Sequence, residues 1–72
     1  MIPISQTLKI LRNTPQELRR TKAEEIGLSP PDKQTCSLFR DAGLIALGTT
    51  PAGSTLRVYY QTPEGQIGET LL

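Results

Sequence analysis

The pattern of apolar residues changes at Gly43, and this change most constrains the fold. Before it, apolar side chains recur every three or four residues, as between Ile4 and Leu11, which is the spacing of one helix face. After it, apolar and more polar side chains alternate from Leu56 to Gln61, which is the period of a strand. The chain is therefore expected to form helices first and strands afterwards, an α+β fold.

Three sets of helix-start signals divide the first part of the chain. Ser5 can cap a first helix. Thr14, Pro15 and Glu17 form a capping box with proline at the first helical position. Ser29 precedes two prolines and repeats the same signals. The predicted helices cover residues 5–12, 15–26 and 30–42.

The second part of the chain predicts a β-hairpin. Its strands are expected at about 44–48 and 55–61, joined by a loop rich in Gly, Thr, Pro and Ser. The last segment, 62–72, allows two interpretations. Thr62 and Pro63 can begin a short helix, whereas Gly65 and Gly68 suit a turn into a third strand.

Length and composition limit the function classes. A chain of 72 residues holds one domain, expected to span 1–72, with one small core, so a homodimer would be unsurprising. Eight Lys and Arg against seven Asp and Glu give a net charge of +1, so any basic surface must arise from local arrangement. No apolar run is long enough for a membrane span, and we expect a cytoplasmic protein without a membrane partner.

The residue inventory gives no basis for an enzyme. The chain has no histidine, and its single cysteine, Cys36, lacks a base to activate it. No glycine-rich phosphate loop or nucleophile motif occurs. We therefore expect no catalytic residue, metal, cofactor or small-molecule substrate. Cys36, Leu38 and Phe39 are most simply core residues.

Three segments resemble winged helix-turn-helix domains of small bacterial and phage regulators. Residues 24–29, EEIGLS, resemble the end of a second helix and its tight turn. Residues 38–45, LFRDAGLI, resemble the end of a recognition helix, and residues 57–65, RVYYQTPEG, resemble a second wing strand. The resemblance spans about residues 21–65. It implies a sequence-specific protein that binds double-stranded DNA and regulates transcription, with helix 30–42 in the major groove and a wing, 48–57, on the backbone.

The resemblance also implies which side chains contact DNA. On the recognition helix they are Lys33, Gln34, Ser37 and Arg40. On the second helix, phosphate contacts are expected from Arg19, Arg20 and Lys22. On the wing, Thr55 is expected to contact phosphate and Arg57 to reach toward a minor groove. The simpler interpretation of the second helix is a solvated face whose cations pair with neighbouring glutamates.

Two other functions stay open. A winged helix can bind a protein partner instead of DNA, because a fold does not determine a function. Residues 45–72 also resemble part of a blade of fungal fucose-binding lectins, in which Arg57 and Glu69 would hold sugar hydroxyls.

Overall fold

The computed structural model describes residues 2–72 and confirms an α+β fold in which three helices precede an antiparallel sheet. The elements in chain order are α1 (Ile4–Arg12), a 3-10 turn (Gln16–Leu18), α2 (Arg19–Glu25), α3 (Lys33–Asp41), β1 (Ile45–Ala52), β2 (Thr55–Gln61) and β3 (Ile67–Leu71).

The sheet has three strands in the order β1-β2-β3, with both neighbouring pairs antiparallel. β1 runs on to Ala52, so most of the predicted wing loop is strand, and a tight turn at Gly53 and Ser54 joins it to β2. Gly53 has a φ of +64°, which glycine adopts without steric cost and which suits a two-residue hairpin turn. Of the two interpretations of segment 62–72, the third strand is confirmed.

A β-bulge at the start of β1 sets which of its side chains are buried. Ala46 pairs with Tyr60 and Gly48 with Tyr59, which leaves Leu47 as the extra residue. Gly48 lies so close to the connection between α2 and α3 that a Cβ there would be 2.8 Å from the Cβ of Leu28. Only glycine allows this approach between β1 and the chain after α2.

The core is divided into two clusters by the sheet. The first consists of Leu11, Ala23, Leu28, Leu47 and Tyr59. The second consists of Phe39, Ala46 and Val58, with Leu44 and Tyr60 packed against it. Val58 and Tyr59 are consecutive in β2 and therefore point to opposite faces. Helices α1 and α2 cover the Tyr59 face, and α3 covers the Val58 face.

The predicted helix starts are wrong in detail. Ser5 lies inside α1, which begins after Pro3 without a side-chain cap. The Thr14 hydroxyl donates back to the carbonyl of Ile10 instead of capping the next helix. Residues Gln16–Leu18, at the start of the predicted second helix, form a 3-10 turn instead of α-helix. The third helix begins at Lys33, because the carboxylate of Asp32 accepts the N–H of Thr35 at 2.7 Å.

The connection between α2 and α3 is longer than the expected tight turn and covers residues 26–32. It contains Gly27 at a φ of +97°, a left-handed backbone that glycine adopts without steric cost. Ser29 then exchanges two backbone hydrogen bonds with Thr49 of β1, at 2.9 and 2.8 Å. This bridge fixes the start of α3 against the sheet.

None of the helices in residues 2–72 combines the length and the apolar surface that a membrane crossing requires.

Candidate nucleic-acid interface

The outward face of α3 carries three of the predicted site residues in one line. Thr35 and Phe39 are buried and fix the helix on the sheet. Lys33, Ser37 and Arg40 follow one another at spacings of four and three and are exposed, so they share the face turned away from the core.

The N-terminus of α3 is held by its cap. The backbone N–H of Thr35, with further hydrogen bonds from the Thr35 side chain and from the N–H of Gln34, lowers the pKa of the Asp32 carboxyl below its usual 3.8. The carboxylate satisfies N–H groups that no helical carbonyl can reach. The residues that follow, beginning with Lys33, are therefore held in a defined orientation.

Arg20 of α2 extends this surface beyond α3. Its Nη2 lies 3.6 Å from the Sγ of Cys36, and the side chain is exposed. Arg20 and Arg40 border the same open depression of about 270 Å³. The depression is lined by Arg20, Cys36, Arg40, Leu44, Ile45 and Ala46. We call the surface formed by Arg20, Lys33, Ser37 and Arg40 the cationic surface.

The cations of this surface have no carboxylate partner among residues 2–72. The two ion pairs in that range are Lys22 with Glu25, at 3.0 Å, and Arg57 with Glu69. Lys22 is therefore a solvated residue of α2 paired with a nearby glutamate, as the simpler interpretation of the second helix expected. Arg20, Lys33 and Arg40 keep their charge available for an external anion.

Arg19 does not reach this surface, and the structure corrects its predicted role. The residue is only 8% exposed. Its Nε donates to the carbonyls of Leu11 and Thr14, at 2.9 and 3.0 Å. Its Nη1 donates to Oε1 of Gln61 at 2.9 Å and to the carbonyl of Gly65 at 2.8 Å. Arg19 thus joins the end of α1 to the β2–β3 connection and cannot contact phosphate.

The two predicted wing residues also lie away from the cationic surface. Arg57 shares the sheet face of Tyr59, which α1 and α2 cover, and its guanidinium contacts the carboxylate of Glu69. The Thr55 hydroxyl donates to the carbonyl of Leu72. Arg57 and Glu69 do come together from neighbouring strands, as the lectin resemblance implied, but here each is the partner of the other.

The other flank of α3 is apolar and acidic. Gln34 lies on this flank, apart from Lys33 and Arg40, in a second depression that Ser37 also lines and that Asp41, Leu56 and Leu72 border. Leu38 was predicted as core and is instead 57% exposed. Successive helical residues are about 100° apart, so Leu38 points well away from the direction of Phe39. Thr35 and Phe39 are four residues apart and share the buried face of the helix, and this spacing in the sequence could have shown that Leu38 lies outside that face.

No protein-family model, curated protein or solved structure matches this chain.

Proposed function

We propose that this protein binds double-stranded DNA through the cationic surface, with α3 as the element that enters the major groove. The observation that carries the proposal is the grouping of Arg20, Lys33 and Arg40 on one exposed surface without carboxylate partners. A chain of net charge +1 has no general attraction for DNA, so a local group of unpaired cations is the feature that can supply it.

The shape of α3 suits this role. An α-helix with its side chains is about 10–12 Å in diameter, which fits a major groove about 12 Å wide. Arg40 has the donor geometry for two hydrogen bonds to guanine, while Lys33 and Ser37 suit phosphate oxygens. The proposed division of roles is base contact by Arg40 and backbone contact by Arg20, Lys33 and Ser37.

The order of the elements supports a winged-helix relationship as part of the same proposal. Three helices precede a hairpin, and α3 is the last helix before the hairpin in chain order, as the recognition helix is in that family. The hairpin tip, Gly53 and Ser54, offers backbone groups and one hydroxyl but no cation. Contact by the tip would therefore be weak, and the main interaction would come from α2 and α3. Regulation of transcription is the role that such binding would serve.

The test is binding to a random-sequence DNA duplex, followed by fluorescence anisotropy over a range of salt concentrations. On random-sequence DNA, where Arg40 has no preferred base, the three cations contact phosphates, and three phosphate contacts predict a slope of log affinity against log salt of about −2.7. The affinity of the wild-type protein should then fall roughly 40-fold between about 50 and about 200 mM salt. Lys33→Gln/Arg40→Gln should weaken binding and reduce the magnitude of the slope by about two.

The matched control is Lys9→Gln/Arg12→Gln. This double variant removes the same charge from exposed positions on α1, which covers the opposite face of the sheet. It should bind DNA with nearly the wild-type slope. Equal weakening by both double variants would show attraction by net charge alone, and absence of binding at low salt would refute the proposal.

An apolar surface on α3 favours a second candidate function, that of a protein-binding module. Leu38 and Leu72 are about half exposed on the flank of α3 opposite Arg20. Leu38→Ser should leave DNA binding unchanged if the cationic surface alone binds DNA. Absence of DNA binding by both the wild type and Leu38→Ser would leave the protein-binding module as the better-supported function.

A further inference from the structure

We propose that the outer edge of β3 pairs with β3 of a second copy of this chain, antiparallel about a two-fold axis, to form a continuous six-stranded sheet. This goes beyond DNA binding and does not rest on it. The interface lies at the β3 edge, whereas Arg20 and Arg40 lie beside β1, at the other edge. The cationic surface therefore stays exposed in both copies.

The backbone of β3 presents hydrogen-bonding groups along this edge. Leu72 donates its N–H to the carbonyl of Leu56, and Gln66 accepts from the N–H of Thr62, so these even-numbered positions are turned toward β2. Backbone groups alternate in direction along an antiparallel strand. Those of Ile67, Glu69 and Leu71 consequently point away from the sheet.

The opposite edge of the sheet is protected, which makes the open edge of β3 distinctive. In β1 the N–H and carbonyl of Thr49 are already bonded to Ser29. Pro51, the next outward position, has no N–H to donate. A bulge also distorts the beginning of β1. Proline, lysine and bulges normally prevent pairing of an edge strand, and β3 has none of them in its pairing with β2; its one charged residue, Glu69, is paired with Arg57.

One register satisfies both the backbone and the side chains. With Glu69 on the two-fold axis, Ile67 lies opposite Leu71 of the second copy, and every outward backbone group of β3 gains a partner. The apolar side chains of Ile67 and Leu71 then cover one another, and Leu71 is 52% exposed in the single chain. The carboxylate of Glu69 already has Arg57 as its partner, so the two axial glutamates meet as neutralised pairs.

The register is tested by disulfide cross-linking in a Cys36→Ser background, which removes the one natural thiol. Cα atoms of directly opposed residues lie about 5.5 Å apart, within the range of a disulfide. Glu69→Cys should form a covalent dimer under mild oxidation. In the same register two copies of position 71 are about 14 Å apart, so Leu71→Cys should not. Equal cross-linking of both variants, or none, would overturn the proposed pairing.

The interface itself is tested by sedimentation equilibrium. The wild-type protein should reach twice its monomer mass of 7.9 kDa. Leu71→Lys places a charge in the interface and should shift the protein to the monomer mass. Leu18→Lys is the matched control, because Leu18 is 53% exposed but lies before α2, and this variant should stay dimeric.

Two results would overturn the proposal. One is a wild-type protein that stays monomeric at millimolar concentration. The other is a dimer that persists in Leu71→Lys, which would place the interface elsewhere, for example at the exposed Leu38. Anisotropy of Leu71→Lys with DNA separates the two proposals. A monomeric variant that keeps the wild-type salt slope shows that the cationic surface binds DNA independently of dimerisation.

Discussion

Replacement of Arg19 by methionine should strongly destabilise this protein without involving any ligand. The unbranched methionine side chain replaces most of the arginine stem but has no N–H donors. Oε1 of the buried Gln61 and the carbonyls of Leu11, Thr14 and Gly65 all lose the guanidinium as a partner. The end of α1, strand β2 and the β2–β3 connection would then no longer be joined through one side chain.

The expected loss follows from these contacts. Hydrogen bonds from a charged donor contribute about 1.5–3 kcal/mol each, but bonds from one guanidinium are not additive. A buried polar group left unsatisfied costs about 1–3 kcal/mol, and several of these four acceptors would be left without a donor, which gives a total of roughly 3–5 kcal/mol. We expect Arg19→Met to fall in that range. A domain of this length has a total stability of roughly 4–11 kcal/mol, so a large part of it would be lost.

Urea denaturation followed by circular dichroism measures this loss. The control is Arg20→Met, which makes the same chemical change at the adjacent exposed position and should alter stability by less than about 0.5 kcal/mol. Each kcal/mol should lower the Tm by about 4–8 °C, so thermal melting gives an independent check. If Arg19→Met were as stable as Arg20→Met, the structural role of Arg19 would be refuted.

Three further substitutions test the fold. Gly48→Ala should cost about 1–3 kcal/mol, because its Cβ would meet the Cβ of Leu28 at 2.8 Å, and an unchanged urea midpoint would contradict that packing. Leu11→Ala should cost about 2–5 kcal/mol in the same assay, since this side chain is fully buried, and a smaller loss would argue against the first cluster as the main core. Asp32→Ala should destabilise the protein at neutral pH, since the N–H of Thr35 lowers the pKa of the carboxyl. That stabilisation is present above the usual pKa of 3.8 and disappears as the pH falls through the lowered value, so the wild type and Asp32→Ala should converge in acid, and a constant difference would contradict the cap.

Local patterns in the sequence predicted the elements but not their limits. The alternation around Val58 and the helical spacing around Leu8 correctly indicated a strand and a helix. The caps were mistaken because Ser29 and Asp32 are both good capping residues. The backbone of Ser29 pairs with β1 instead, and this pairing depends on residues twenty positions away.

The candidate site likewise combines features that the sequence predicts with features that only the tertiary structure determines. Exposure of Lys33, Ser37 and Arg40 follows from their spacing on one helix, which the sequence contains. The burial of Arg19 beside the exposed Arg20 does not, because it depends on Gln61, which is 42 residues later in the chain. No local pattern distinguishes two adjacent arginines when their partners belong to different elements.

The sequence by itself determined the α+β class and the order of helices before strands, because hydrophobic periodicity, glycine turns and proline positions act over a few residues. Only the tertiary structure decided that α3 lies on the opposite face of the sheet from α1 and α2, which cations remain free, and that one sheet edge is protected while β3 is open. These properties arise from contacts between distant segments, whose geometry is set when the two clusters pack on the two faces of the sheet.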